Sequence, residues 1–171
     1  MDGISTNGAA WNIGIGGDAL GGALTGDFNI AIGQAAGLAV TSGNKNVMLG
    51  HDGGAAVTTA SGSVFVGEAA GATPTTGNNN IGIGNTALGG AATTGDNNIA
   101  IGASAGDALT SSPDNIFIGN NAGGALTTAG TSIAIGKDAL STYATGNGQN
   151  IAIGYESCKA LVTANSNTCV G

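Results

Sequence analysis

A five-residue motif recurs ten times along this chain, at a spacing that leaves little freedom in the fold. One copy is Asn98-Ile99-Ala100-Ile101-Gly102, and its counterparts end at Gly16, Gly33, Gly50, Gly67, Gly84, Gly119, Gly136, Gly154 and Gly171. Successive copies lie 17 residues apart, or 18 at the steps from Gly84 to Gly102 and from Gly136 to Gly154. A repeat that short is one coil of a solenoid, unable to bury its own apolar face until neighbours stack on it. The fold class is therefore all-β: a parallel β-solenoid of ten coils, with residues 12–171 as one repeat domain and 1–11 as an N-terminal cap or lead-in.

Composition alone would argue otherwise, because 34 glycines and few large aliphatics in 171 residues approach the range of disordered chains. The aliphatics, however, stand in fixed columns. A net charge of −7, with Lys45, Lys137 and Lys159 the only cationic side chains besides His51, argues against nucleic acid or an anionic membrane as partner. No run has the length of a membrane-spanning helix. Met1-Asp2-Gly3-Ile4-Ser5 lacks the basic and apolar regions of a signal peptide, so export would use a signal missing here or another route.

Side chains alternate along a strand. The β-branched pairs, such as Ile30/Ile32, Ile99/Ile101 and Ile116/Ile118, are expected inside the coil. Two freely varying residues follow each motif Gly at an exposed corner. Then comes a small residue: Ala19, Ala36, Gly53, Ala70, Ala87, Ala105, Ala122, Ala139 or Ser157. A second apolar site follows at Leu24, Val40, Val57, Pro74, Ala92, Leu109, Leu126, Tyr143 and Leu161, and then a Thr in every coil from Thr25 to Thr163. Turn sequences close the coil, and Asn7-Gly8 reads as a turn in the lead-in. The motif Asn column (Asn12, Asn29, Asn46, Ser63, Asn80, Asn98, Asn115, Ser132, Asn150, Asn167) is expected to form a side-chain ladder at the ~4.8 Å strand spacing. Trp11 and Phe28 precede the motif Asn where later coils carry mostly polar residues, which suggests a cap or a contact with something preceding.

With the β-branched pairs inside, the residue between them would face out: Gly14, Ala31, Met48, Phe65, Gly82, Ala100, Phe117, Ala134, Ala152 and Cys169. All are apolar, and an apolar strip along the whole object marks an interface. The expectation is an oligomer packed through this column. Repeats of the form Asn-Ile-Ala-Ile-Gly-x-x-Ala, as at 98–105 and, with Ser in the last place, at 150–157, resemble the head repeats of YadA-type trimeric autotransporter adhesins and related repeats of phage tail fibres. The resemblance covers residues 12–171. It implies a left-handed β-roll, a homotrimer packed by its inner sheets, an extracellular, cell-surface or virion location, and a host receptor or glycan as partner. The coil is longer than the family's usual one of about 14, and no stalk, neck or anchor accompanies it.

Other chemistry is weakly represented. Gly14-Ile15-Gly16-Gly17-Asp18-Ala19 matches a relaxed dinucleotide fingerprint but opens no helix. Calcium rolls need an Asp in each turn, and Asp18, Asp52, Asp107 and Asp138 occupy only some coils. His51 stands beside Asp52 at an exposed corner with no second imidazole. Cys158 and Cys169 lack metal-site spacing and are expected as two free thiols facing different ways. The Thr column resembles the hydroxyl arrays of ice-binding solenoids but borders Gly-rich turns. No constellation supports an enzyme, a cofactor or a metal. The expected role is a structural or adhesive rod segment of a surface appendage. The alternative is a filament of subunits stacked end to end through an uncapped last coil. Ice or calcium binding is remote.

Overall fold

The computed structural model describes residues 10–73, 75–128, 130–142, 148–161 and 165–171. The Asn7-Gly8 turn, the lead-in up to residue 9, Pro74, Tyr143 and Thr163 lie outside the described residues.

Ten three-residue strands form one parallel sheet in chain order: β1 (Ile13–Ile15), β2 (Ile30–Ile32), β3 (Val47–Leu49), β4 (Val64–Val66), β5 (Ile81–Ile83), β6 (Ile99–Ile101), β7 (Ile116–Ile118), β8 (Ile133–Ile135), β9 (Ile151–Ile153) and β10 (Thr168–Val170). Each strand pairs in register with the next, so motif stacks on motif. This is a β-solenoid, with one strand per coil and no helix among the described residues. The motif Gly is needed for the stack itself. Gly102 has φ +132°, and a Cβ there would lie 2.5 Å from the carbonyl oxygen of Gly119 in the next coil.

The two strand faces are the reverse of the sequence expectation. The middle residues Ala31, Met48, Phe65, Ala100, Phe117, Ala134 and Ala152 are fully enclosed within the single chain, Gly82 is buried, and Gly14 and Cys169 in the end coils are half-buried. The β-branched pairs, expected inside, are half-buried to exposed. Space explains the inversion. A coil of 17 residues encloses a narrow lumen, already lined by the small column (Ala36, Ala70, Ala105) and the second apolar site (Leu24, Val40, Val57, Leu109, Leu126). One further residue per coil fits, and it is often Gly or Ala.

Size is traded around each coil. Gly14 faces Leu20, and Gly82 and Ala134 share their coils with the buried Leu88 and Leu140. Where the middle residue is large, the equivalent corner is glycine: Met48 with Gly54, Phe65 with Gly71, Phe117 with Gly123. A Cβ on Gly54 or Gly123 would come within 2.7 Å of Met48 Cγ or 2.6 Å of Phe117 Cδ1. In the two coils that are small at both places, neighbours fill the gap: Gly37 lies under Met48 and Leu20, Gly106 under Phe117 and Leu88. The core is thus close-packed by complementary volumes rather than by repetition.

Two further expectations are corrected. Ala92 is exposed and Thr93 takes the buried place, as Thr75 does one coil earlier; Val57 forms a lone parallel bridge to Thr75. Cys158 and Cys169 are joined in a disulfide, with Cα atoms 5.8 Å apart. Both point inward: Cys169 is the middle residue of β10, and Cys158 stands where Leu20, Leu88 and Leu140 enter the core from the coil before.

Candidate functional site

Because the middle residues face the lumen, the outward face of the sheet carries the two flanking columns. Nineteen of these twenty positions, from Ile13 and Ile15 to Val170, are Ile, Val or Leu, and the exception is Thr168 in β10. No charge interrupts them. At ~4.8 Å per strand and a width of roughly 10 Å, the strip covers about 500 Å², at the upper end of what a monomer ordinarily exposes. The sequence-derived interface column (Gly14, Ala31, Met48, Phe65, Gly82, Ala100, Phe117, Ala134, Ala152, Cys169) takes no part in it.

One border of the strip is the column before the motif Asn. Its residues all adopt the left-handed backbone region, from Trp11 (φ 63°) to Ser166 (φ 58°). That conformation suits Gly62, Asn79, Asn97 and Asp114. Trp11 and Phe28 hold it too, with their rings parallel (4°) and 6.4 Å apart between centroids. Exposure alternates from residue 11 to 15 and from 28 to 32, so both rings extend the outward face.

Behind that border the motif Asn side chains run up the stack. Asn98 Nδ2 donates to Asn80 Oδ1 (3.1 Å) and to the carbonyl of Ser112 (2.9 Å), while its own Oδ1 accepts the amide of Asn115 (3.0 Å). Asn29, Asn46 and Asn167 make equivalent bonds, and Asn12 Oδ1 accepts the amide of Asn29. Ser63 and Ser132 continue the column through their hydroxyls. Every bond joins coil to coil or closes a turn, so the ladder is structural.

A second ladder, not expected from the sequence, runs beside the first. Two residues before the motif Asn, Asp27 Oδ1 accepts the amide of Ala10, Asn44 Oδ1 that of Asp27, Ser61 Oγ that of Asn44, Asn78 Oδ1 that of Ser61, and Asp96 Oδ1 that of Asn78. It stops at Pro113. The signal was five consecutive Asp, Asn or Ser residues at one offset.

The remaining polar groups are mostly tied to the coil. Thr25, Thr41, Thr93, Thr94 and Thr110 donate their hydroxyls to carbonyls of the next coil. At the corners, His51 Nδ1 lies 3.2 Å from Asp52 Oδ2, Lys159 pairs with Glu156 at 2.7 Å, and the Lys137 ammonium stands 5.9 Å from the centre of the Tyr155 ring. The hydrogen bond from Lys159 lowers the Glu156 pKa, and the same bond raises that of Lys159. Burial raises the Asp107 carboxyl, against a smaller pull from a hydrogen bond with the Gly90 backbone. Among the described residues no group of three His, Cys, Asp or Glu is placed to hold a metal, and no helix is long and apolar enough to cross a membrane.

The fold and surface thus define the class: a parallel β-solenoid with one uncharged aliphatic sheet face. Comparison with family models, curated proteins and solved structures finds no match to this chain.

Proposed function

We propose that the chain is a structural segment of a fibre-like surface appendage, a rod that packs against copies of itself through its aliphatic sheet face. The observation that carries this reading is the strip just described. It is too long and too free of charge to be left in water by chance, and its 4.8 Å period is best matched by another strand stack of the same period. Three copies about a common axis, each with a left-handed coil, is the arrangement that the resemblance to adhesin head and tail-fibre repeats suggests. An adhesive role toward a receptor or glycan at the exposed corners accompanies it. The Cys158–Cys169 disulfide fits an oxidising, extracellular setting.

The test sets one position on the strip against one at a corner. Ile101→Glu puts a carboxylate on the sheet face of the middle coil, while Ala103→Glu puts one at the corner two residues on. Light scattering is expected to find an oligomer for the unaltered chain and for Ala103→Glu, and a folded monomer for Ile101→Glu. A monomeric unaltered chain, or an Ile101→Glu oligomer of full size, rejects the reading.

A further inference from the structure

We infer that Trp11 and Phe28 are contact residues between copies of this chain, and that they anchor coil 1 of one copy beside coil 1 of the next. The inference rests on the self-association proposed above and adds what that strip lacks. A column of near-identical Ile residues is indifferent to slip. Displacing one copy by a coil sets Ile against Ile almost everywhere and loses about one coil's contact in ten. A non-repeating feature is needed to fix register, and the outward face has one, at its first two coils.

Three observations converge on this pair. Trp11 is 77% and Phe28 53% exposed, yet the two rings lie parallel, an ordered apolar platform. Both hold a left-handed backbone conformation that is unfavourable for bulky residues, and neither enters the core cluster. Both also continue the outward alternation of their strands, making the apolar face three residues wide here and two elsewhere.

Area points to a second copy as the occupant. The aliphatic strip offers about 500 Å², and the exposed parts of the two rings add about 300 Å². Together they reach the ~800 Å² per partner of a stable protein interface. Aromatic rings at such a contact carry a disproportionate share of affinity. In an antiparallel pair the rings would meet the polar border at Gln149 and Ser166, and in a slipped pair they would overhang the partner's end. Parallel packing in register avoids both outcomes.

Trp11 is the only tryptophan, so its fluorescence reports coverage of this pair directly. The emission of the unaltered protein is to be followed through a dilution series, with light scattering on the same samples, and compared with that of Ile101→Glu. The expected result is blue-shifted emission in the oligomer, and red-shifted emission both on dilution to monomer and in Ile101→Glu. Phe28→Gln is expected to raise the dissociation constant at least tenfold. Red-shifted emission in a confirmed oligomer overturns the inference while leaving the sheet-face contact standing. Blue-shifted emission that persists in the monomer also overturns it, because the ring is then covered by its own chain. A Phe28→Gln dissociation constant within twofold of the original overturns it as well. A chain monomeric at every concentration overturns both proposals.

Discussion

The two faces of the ten-stranded sheet are both apolar, yet they are built on opposite plans. The outward columns are almost uniform, Ile or Val in coil after coil, and each side chain meets mainly its own kind above and below. The inward column runs through Gly, Ala, Met, Phe and Cys, and each member is matched by a corner residue of complementary size in the same or the adjacent coil. A closed volume must be filled once, whereas an open face can repeat indefinitely. Variety therefore marks the side where space is finite.

Three experiments would break or sharpen that contrast. The largest effect is expected from Ala100→Glu, next door to Ile101 but facing the lumen with no exposure. Burying an unpaired carboxylate there costs several kcal/mol, so circular dichroism is expected to show loss of fold, where Ile101→Glu keeps its strands and loses only its partners. Two adjacent glutamates with the same outcome would remove the distinction between the faces.

Next in size is a transplant of packing. Phe65→Ala empties the lumen at a cost of about 3–5 kcal/mol, and Gly71→Leu alone collides with the Phe65 ring, on which even a Cβ would intrude. Together they recreate the pairing of Ala134 with Leu140, and Leu is at home in that backbone conformation, as Leu20 (φ 53°) and Leu140 (φ 50°) show. Chemical denaturation is expected to find the double variant more stable than either single one. Additive losses would mean that the inward sizes are not coupled.

A smaller change follows from reduction of the Cys158–Cys169 disulfide, the covalent form of the same corner-to-strand contact. A closed segment with a sequence separation of 11 residues stabilises by about 3 kcal/mol in the chain-entropy view. Because coils touch only their neighbours, the loss is expected near β9 and β10. Hydrogen exchange that rises under reductant at β9 and β10 but not at β2 or β3 supports this; a uniform rise opposes it.

The inversion of the faces shows what was legible beforehand. Period, strand positions, the small column (Ala36, Ala70, Ala105) and the parallel stacking all follow from spacing, because residues at the same offset in successive coils must stack on one another. Hydrophobicity could not orient the strand, since both parities are apolar, and β-branching favours strands without favouring the interior. Parity with the motif Asn would have decided it. A stacked amide such as Asn98 must turn inward to reach the Ser112 carbonyl, and Ala100, two residues on, shares its side. The left-handed corners at Asp18, Ser104 and Asn121 left no trace in the sequence, because the residues there vary freely. The second ladder was visible in the Asp27, Asn44, Ser61, Asn78 and Asp96 column, but turn composition hid it.

The traded volumes of the lumen also bear on how such a rod can be lengthened. Gly14, Ala31 and Met48, with Leu20, Gly37 and Gly54 opposite, recur four coils later as Gly82, Ala100 and Phe117 with Leu88, Gly106 and Gly123. From outside, the object is indifferent to the insertion of a single coil. From inside, one extra coil inserted on either side of Gly37 would part it from Met48 or Leu20 and open a void. A four-coil cassette, adding about 19 Å, would keep large against small throughout, so growth of this object has a coarser natural unit than the motif that first reveals it.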